Sequence, residues 1–132
     1  MPKLNFNHAM IYVSNVEKSL AFYAGKLGFR VVGRFDYAGH AVYARIRSPQ
    51  GNTTLALHGP DREWKPMPTG GIRLYFEVRE LSAFCKRLAK NGVKLKQPPK
   101  KMPWGWRHAY LLDPDGYEIS LYRAGAARLK KS

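Results

Sequence analysis

Cysteine, acidic residues and long apolar runs are all scarce in this chain of 132 residues. Its single cysteine, Cys85, cannot form a disulfide within the chain. No apolar run approaches the ~20 residues that span a bilayer. The first ten residues, MPKLNFNHAM, lack the apolar core of a signal peptide. We therefore expect a cytoplasmic protein without a membrane partner, and the length predicts a single domain.

Acidic residues number only 9 against 23 lysines and arginines, which gives a formal net charge of +14. Such a basic chain favours anionic partners, whether nucleic acid, an anionic membrane or acidic small molecules. The basic residues are scattered, with small clusters in PPKK and RLKKS, and no helix-turn-helix, zinc-finger or RNP-like motif accompanies them. Nucleic-acid or other polyanion binding through the basic surface is one hypothesis, and it predicts a steep salt dependence.

An internal repeat organises the chain. The stretch HAMIYVSNVEKSLAFYAGKLGFRVV near the start resembles RLYFEVRELSAFCKRLAKNGVKLK further on. Val13 aligns with Val78, 65 residues later, and SPQG at 48–51 aligns with DPDG at 113–116 at the same spacing. The repeat predicts two modules, at about 5–60 and 70–124, followed by a basic tail at 125–132.

Each module is predicted to contain a strand, a helix and three further strands. In the first module, Ser14 or Asn15 can cap the helix, and Gly28 stands where a left-handed C-terminal cap is needed. Gly92 ends the second helix in the same way. The apolar helix stripes are Val16, Leu20, Tyr23 and Leu27 in the first module and Leu81, Phe84 and Leu88 in the second. Strands are predicted at 7–13, 29–36, 40–48, 52–58, 93–96, 106–112 and 117–123, with hairpin turns at PQGN and PDGY.

Alternation along the strands separates a helix-facing side from an opposite, concave side. On the last strand Tyr117, Ile119 and Leu121 form the apolar side, so the other residues face the cleft. The same rule applied to four strands gives this cleft lining: His8, Met10, Tyr12, Thr54, Ala56, His58, Arg73, Tyr75, Glu77, Glu118, Ser120 and Tyr122. Convergent polar groups predict a ligand site. Alternatively, the tyrosines fill volume and Arg73 forms a simple cross-strand ion pair with Glu77 or Glu118.

These features resemble the vicinal oxygen chelate superfamily, which includes glyoxalase I, extradiol dioxygenases, fosfomycin-resistance enzymes and bleomycin-resistance proteins. The resemblance runs from NHAMIYVSNVEKSLAFYAGKLGF to DPDGYEISLY and thus covers nearly the whole chain. It implies an α+β fold of two tandem βαβββ modules that form a cupped mixed sheet. It also implies a homodimer.

Metal-dependent members of that superfamily carry a ligand on the first and the last strand of each module. The resemblance places these positions at His8, Ala56, Arg73 and Ser120. Alanine and a guanidinium donate nothing to a metal, and a neutral serine hydroxyl is a poor ligand. A divalent transition ion needs at least three protein donors, so we expect no metal and no other cofactor. The alternative is a shifted site made of His8, His58 and Glu118.

The stretch PPKKMPWGWRHAYLLDPDG resembles a segment of the bleomycin-resistance branch, whose members bind drugs without a metal. Our leading hypothesis is a metal-independent small-molecule binding protein, acting in resistance or sequestration, with an aromatic or anionic ligand. Trp64 is a further candidate for a contact at the cleft rim. The predicted ligand-binding residues are His8, Tyr12, His58, Arg73, Tyr75, Trp104, Trp106, Ser120 and Tyr122.

An enzymatic hypothesis stands beside it: a lyase, isomerase or dioxygenase of the same superfamily. Such an enzyme would use the shifted metal site, or acid–base chemistry without a metal. Glu118 and Glu77 are the candidate bases, and Arg73 is the candidate for stabilising an enolate-like oxyanion.

Overall fold

The structure, a computed structural model, describes residues 2–125. The basic tail predicted at 125–132 lies outside these residues except for Gly125. The elements of the first module are β1 (His8–Tyr12), α1 (Val16–Leu20, continued by a π-helical segment, Ala21–Lys26), β2 (Arg30–Tyr37), β3 (His40–Arg47) and β4 (Thr54–His58). Those of the second are β5 (Arg73–Glu77), α2 (Leu81–Lys90), β6 (Leu95–Lys101), β7 (Arg107–Leu112) and β8 (Glu118–Arg123).

Each module builds its own four-stranded mixed sheet. The strand order is β1-β4-β3-β2 in the first sheet and β5-β8-β7-β6 in the second. The first strand of each module runs parallel to the last, and the remaining neighbours are antiparallel. Two compact units result, one up to Met67 and one from Pro68. The two tandem βαβββ modules predicted from the sequence are therefore confirmed.

The helix of the first module begins and ends where its sequence predicts. The side chain of Asn15 accepts a hydrogen bond from the backbone N–H of Lys18 at 3.0 Å, and Gly28 has φ of +88°. The backbone N–H of Leu27 reaches back five residues to the carbonyl of Phe22 at 3.0 Å, which is the π-helical pattern. The predicted stripe is buried: Val16, Leu20, Tyr23 and Leu27.

The second helix buries a slightly different stripe from the predicted one. Leu81 and Leu88 are buried as expected, but Cys85 is buried in place of Phe84. Positions 81, 85 and 88 lie on one face of an α-helix, whereas position 84 lies at its edge. There the ring of Phe84 packs under the guanidinium of Arg87, 4.9 Å away. Burial raises the pKa of the Cys85 thiol.

Strand alternation is obeyed best on the central strands. Leu55, Leu57, Ile119 and Leu121 are all buried, as predicted. Alternation that puts His8 and Met10 in the cleft puts Ala9 on the helix-facing side with Ile11. Ile11 is buried, but Ala9 is exposed because it lies near the start of the edge strand β1, whereas α1 packs against β3 and β4. The strand predicted at 93–96 extends to Lys101 through two prolines, which an edge strand such as β6 tolerates.

The DPDG turn sets the start of β8. The carboxylate of the buried Asp113 accepts hydrogen bonds from the backbone N–H groups of Asp115 and Tyr117, both at 2.9 Å. Gly116 has φ of +94°, a value that favours glycine. None of the helices within residues 2–125 combines the length and the apolar character needed to cross a membrane.

Candidate functional site

One face of the second-module sheet collects most of the residues predicted to bind a ligand. Strand pairing places Tyr75, Ser120 and Tyr110 in one row across the sheet. Residues paired in this way point to the same side. The two flanking rows are Glu77, Tyr122 and His108 on one side and Arg73, Glu118 and Leu112 on the other.

Six rings cover this sheet and are called here the aromatic face: Tyr75, Trp104, Trp106, His108, Tyr110 and Tyr122. His108 is at its centre. The rings of Trp106, Tyr122 and Tyr110 lie within 27° of parallel to the His108 ring, at centroid distances of 5.5 to 6.5 Å. Trp106 and Tyr122 stack at 5.3 Å and 6°.

Two rings of the aromatic face stand upright against this parallel group. Tyr75 meets His108 at 89° and 6.1 Å, and Trp104 meets it at 76° and 5.4 Å. Both Tyr75 and Trp104 are 53% exposed, so their ring faces are open to a ligand. Aromatic pairs favour such edge-to-face and offset-parallel geometries. A flat ligand can therefore stack on an upright ring and meet its neighbours edge-on.

His108 is only 3% exposed, and its Nδ1 lies 2.7 Å from the hydroxyl oxygen of the fully buried Ser120. Its Nε2 is buried and has no hydrogen-bond partner within residues 2–125. Burial, and secondarily the positive charge of Arg73, lowers the pKa of His108 below its ordinary value of 6.5. Both causes favour the neutral form of the imidazole.

A charged group borders the aromatic face. The guanidinium of Arg73 donates to the carboxylate of Glu118 from Nε at 3.1 Å and from Nη2 at 2.9 Å, and it lies over the Tyr110 ring at 5.2 Å. Lys96 donates to the other carboxylate oxygen at 3.2 Å. Desolvation raises the pKa of Glu118, but the hydrogen bonds from Arg73 and Lys96 outweigh it and the pKa is lowered overall. Two cations thus share one carboxylate here.

The first-module sheet presents its own row of rings: Tyr12, His58, Tyr43 and Phe35. Trp64 stacks on Tyr12 at 5.5 Å and 16°. Its loop is fixed because the carboxylate of Asp61 accepts hydrogen bonds from the backbone N–H groups of Trp64 and Glu63, which also lower the pKa of Asp61. The Nδ1 of His58 lies 2.6 Å from the carbonyl oxygen of Gly59.

Arg45 lies in the row next to these rings, paired with Ala56, and His8 lies one row further on, paired with Thr54. The Nη2 of Arg45 is 2.9 Å from Nδ1 and 2.8 Å from Nε2 of His8. Asn7 also contacts the ring, at 2.7 Å from Nδ1. Both nitrogens of the imidazole therefore lie against a cationic donor.

The predicted site residues fall into two groups. Arg73, Tyr75, Trp104, Trp106, Glu118, Ser120 and Tyr122 come together on the second-module sheet, with Glu77 at its margin. His8, Tyr12 and His58 come together on the first-module sheet. Their roles in binding or catalysis remain predictions.

Sequence reasoning missed three residues that the structure makes prominent: His108, Tyr110 and Arg45. The signal was present, because alternation along 106–112 and 40–48 puts these side chains on the same sides as Ser120 and Ala56. Those two strands pair directly with the strands whose faces were assigned.

The positions where the resemblance implies metal ligands do not fit a divalent ion. Ala56 is fully buried and has no donor atom. Arg73 is a cation, and the hydroxyl of Ser120 is engaged with His108. His8 lies against a guanidinium. Glu118, part of the shifted alternative, is shared between Arg73 and Lys96. Among the four family positions only His8 offers an ordinary ligand atom, and one donor is too few for a divalent-metal site.

Residues 5–121 match the family described as the Glyoxalase/Bleomycin resistance protein/Dioxygenase superfamily. The chain belongs to this superfamily. The two tandem βαβββ modules are what the resemblance implied, and the DPDG turn before β8 is one of the motifs on which it rested.

Relatives within the superfamily carry different functions in their names. TnmS3, an antibiotic binding protein from Streptomyces sp. CB03234, is 28% identical, with a TM-score of 0.77 over 95% of this chain and 99% of its own. A superfamily member from Sphaerobacter thermophilus is 29% identical, with a TM-score of 0.74 over 92% of this chain and 98% of its own. A lactoylglutathione lyase of Neisseria meningitidis is 29% identical over 85% of each chain.

Proposed function

We propose that this superfamily member is a metal-independent protein that binds a small aromatic ligand with an anionic group, in a resistance or sequestration role. The single observation that carries the proposal is the aromatic face around His108. Six rings gather on one sheet, and two of them stand upright and are 53% exposed, so they offer aromatic surface to a ligand.

The stacking surface supplies the main attraction in this proposal. Each aromatic pair contributes roughly 1 kcal/mol beyond the burial of its area. A ligand that engages Trp104 and Tyr75 together thus gains roughly 2 kcal/mol from ring geometry, before any hydrophobic term. The neutral His108 adds no charge to this surface, so flat neutral rings bind without a desolvation penalty from that residue.

The charged border selects among aromatic ligands. Arg73 and Lys96 bring two positive charges against the single carboxylate of Glu118. The net charge of +14 adds a general attraction for anions. An aromatic ligand with an acidic group is therefore favoured over a cationic drug. The name of TnmS3 lends support, since it describes an antibiotic binding protein.

Titration of tryptophan fluorescence tests the proposal. Purified protein is mixed with aromatic antibiotics, aromatic carboxylic acids and the matching neutral alcohols and cationic amines. We expect saturable quenching by at least one acid, and weaker effects from its amine. A flat response from correctly folded protein would overturn the proposal.

The lactoylglutathione lyase relative makes an enzymatic role the specific competitor. In that role Glu118 or Glu77 would act as the base and Arg73 would stabilise an oxyanion. The ion pair between Arg73 and Glu118 argues against it, because a carboxylate with a lowered pKa that is held by two cations is a weak base. An assay of lactoylglutathione lyase activity, with and without added Zn²⁺ or Ni²⁺, separates the two roles.

We also propose that the chain acts as a homodimer in the cytoplasm. Strand β2 is an edge strand and exposes Val31, Val32, Phe35 and Tyr37, each at least 45% exposed. Apolar patches of this kind mark protein interfaces. A second copy would also protect the open edge of the sheet from wrong pairing.

A further inference from the structure

Arg45 is a half-buried guanidinium without a carboxylate partner among the residues that the structure describes. Its recorded contacts are the two ring nitrogens of His8 and a long contact of 3.5 Å from Nη1 to the side-chain oxygen of Asn7. Its Nε is buried and unpaired within residues 2–125. None of the ion pairs among those residues includes it. Nη1, whose one recorded contact is the long one to Asn7, is therefore the donor best able to take a further acceptor.

Positions in the first module can be compared with the corresponding positions in the second module. Arg45 pairs with Ala56 on β4, and Tyr110 pairs with Ser120 on β8, so Arg45 and Tyr110 occupy corresponding places. His8 and Arg73 correspond in the same way. Both modules thus place a guanidinium beside a ring at this point. In the first module the arginine lies on β3 and the ring on β1, whereas in the second module the arginine lies on β5 and the ring on β7.

The difference between the modules is the residue that neutralises the arginine. In the second module Glu118 pairs across the sheet with Arg73 and binds it. The corresponding residue in the first module, paired with His8, is Thr54. A threonine carries no charge, so Arg45 has lost the counter-ion that Arg73 keeps. Unpaired charges in a half-buried position are costly unless something else supplies the opposite charge.

The surroundings of Arg45 leave room for such a group. Its neighbours in the row across the sheet are Ala56 and Gly33, the two smallest residue types. The next row holds the rings of Tyr12, His58, Tyr43 and Phe35, and Trp64, 57% exposed, stacks on Tyr12. A planar ring surface and an unneutralised guanidinium therefore lie in adjacent rows.

We infer that Arg45 anchors the carboxylate of a flat aromatic acid on the first-module sheet. The two carboxylate oxygens would accept hydrogen bonds from the guanidinium, a strong and directional contact. The ring of the acid would lie along the row from Tyr12 to Phe35, next to Trp64. The inference rests on the proposed small-molecule function but concerns the sheet of the first module and a different arginine from Arg73.

The test uses 2-naphthoate and its uncharged counterpart, 2-naphthylmethanol. The indole N–H signals of the three tryptophans are followed by NMR on the intact chain. They are assigned with Trp→Phe variants. Trp64 reports on the first-module sheet, and Trp104 and Trp106 report on the aromatic face. We expect the Trp64 signal to shift saturably with 2-naphthoate and at least about tenfold more weakly with the alcohol, as the loss of a charge-assisted contact requires.

Variants identify the arginine. Arg45→Gln is expected to weaken 2-naphthoate binding at Trp64 by about tenfold or more and to leave the alcohol unchanged. Arg45→Lys keeps the charge but cannot make the bidentate contact, so this variant should bind 2-naphthoate with intermediate affinity. Arg87→Gln removes the same charge from α2 of the other module and should change little. The spectra of all variants also show whether they fold.

Equal affinity for acid and alcohol at Trp64, or an equal loss in Arg87→Gln and Arg45→Gln, would overturn the inference. A shift confined to Trp104 and Trp106 would overturn it too, while supporting the proposed function. A shift confined to Trp64 that depends on Arg45 would support this inference and count against the aromatic face as the ligand site.

Discussion

Nδ1 of His108 lies 2.7 Å from the hydroxyl oxygen of Ser120, and both side chains are buried beneath aromatic rings. The resemblance to metal-dependent relatives places a metal ligand at Ser120. In this chain the same position holds an imidazole by a hydrogen bond instead. The strand end that could have served a metal thus supports a cluster of rings, and burial lowers the pKa of the one imidazole in that cluster.

Replacing His108 should change the pH dependence of stability. The pKa of His108 is lowered in the folded chain, whereas in the unfolded chain it is near 6.5. As the pH falls below about 7, the unfolded chain takes up this proton first, so the wild type loses stability until the folded pKa is reached. His108→Gln should remove that part of the slope in urea unfolding measured between pH 5 and pH 8.

An exposed histidine provides the matched control. His40 is exposed at the start of β3, and His40→Gln makes the same substitution there, outside the aromatic face. If His108→Gln kept the full slope, another group would be responsible, and the buried neutral imidazole would lose its support.

Removing an upright ring should weaken binding of an aromatic ligand. Trp104→Ala and Tyr75→Ala each delete a 53% exposed ring that stands against His108. The loss of about 0.5–1.5 kcal/mol per ring corresponds to roughly a twofold to twelvefold weaker Kd. Isothermal titration with the best ligand of the fluorescence panel measures it. Phe6→Ala removes an 81% exposed ring that precedes β1 and should leave the Kd unchanged, and an equal loss there would rule out a specific ring contact.

Freeing Arg73 should strengthen the binding of acids. Glu118→Gln keeps the shape of the side chain but removes the charge that Arg73 and Lys96 share. The stability cost should be at most about 1 kcal/mol, because these ion pairs are partly exposed. The Kd for an aromatic acid should fall, whereas the Kd for the matching neutral alcohol should not. Tighter binding of both ligands would mean that the variant acts through packing rather than charge.

The sequence predicted the fold well because its signals are local and repeated. Asn15 and Gly28 mark the ends of the first helix, and the 65-residue repeat predicts the second module from the first. The site was predicted only in part. Tyr122 and Ser120 were placed by alternation on one strand, but the neighbour that joins them, His108, is brought there by strand pairing across the sheet. An ion pair of Arg73 with Glu77 or Glu118 was an alternative from the sequence, and the pair with Glu118 is observed. The choice of Glu118 depends on strand pairing, on which single-strand periodicity carries no information.

The homodimer can be tested at the exposed strand β2. Val32 is 46% exposed on an edge strand beside other exposed apolar residues. A charge at the centre of an interface is costly because it must be desolvated without a partner. Light scattering after gel filtration should therefore give twice the mass of one chain for the wild type and a concentration-dependent decrease for Val32→Asp. A monomeric wild type, or a Val32→Asp variant that stays dimeric at low micromolar concentration, would contradict this interface.

Metal content decides between the binding protein and a metal-assisted enzyme. Only His8 among the four family positions offers an ordinary ligand, so untagged protein purified without chelator should hold less than about a tenth of an equivalent of any transition metal. Titration with Zn²⁺ or Ni²⁺ should give no saturable uptake near one equivalent. Close to one equivalent that is lost in both His8→Ala and Glu118→Ala, and kept in His40→Ala, would instead establish the shifted site. The basis of the metal-independent proposal would then be wrong, because Glu118 would have to exchange Arg73 and Lys96 for the ion.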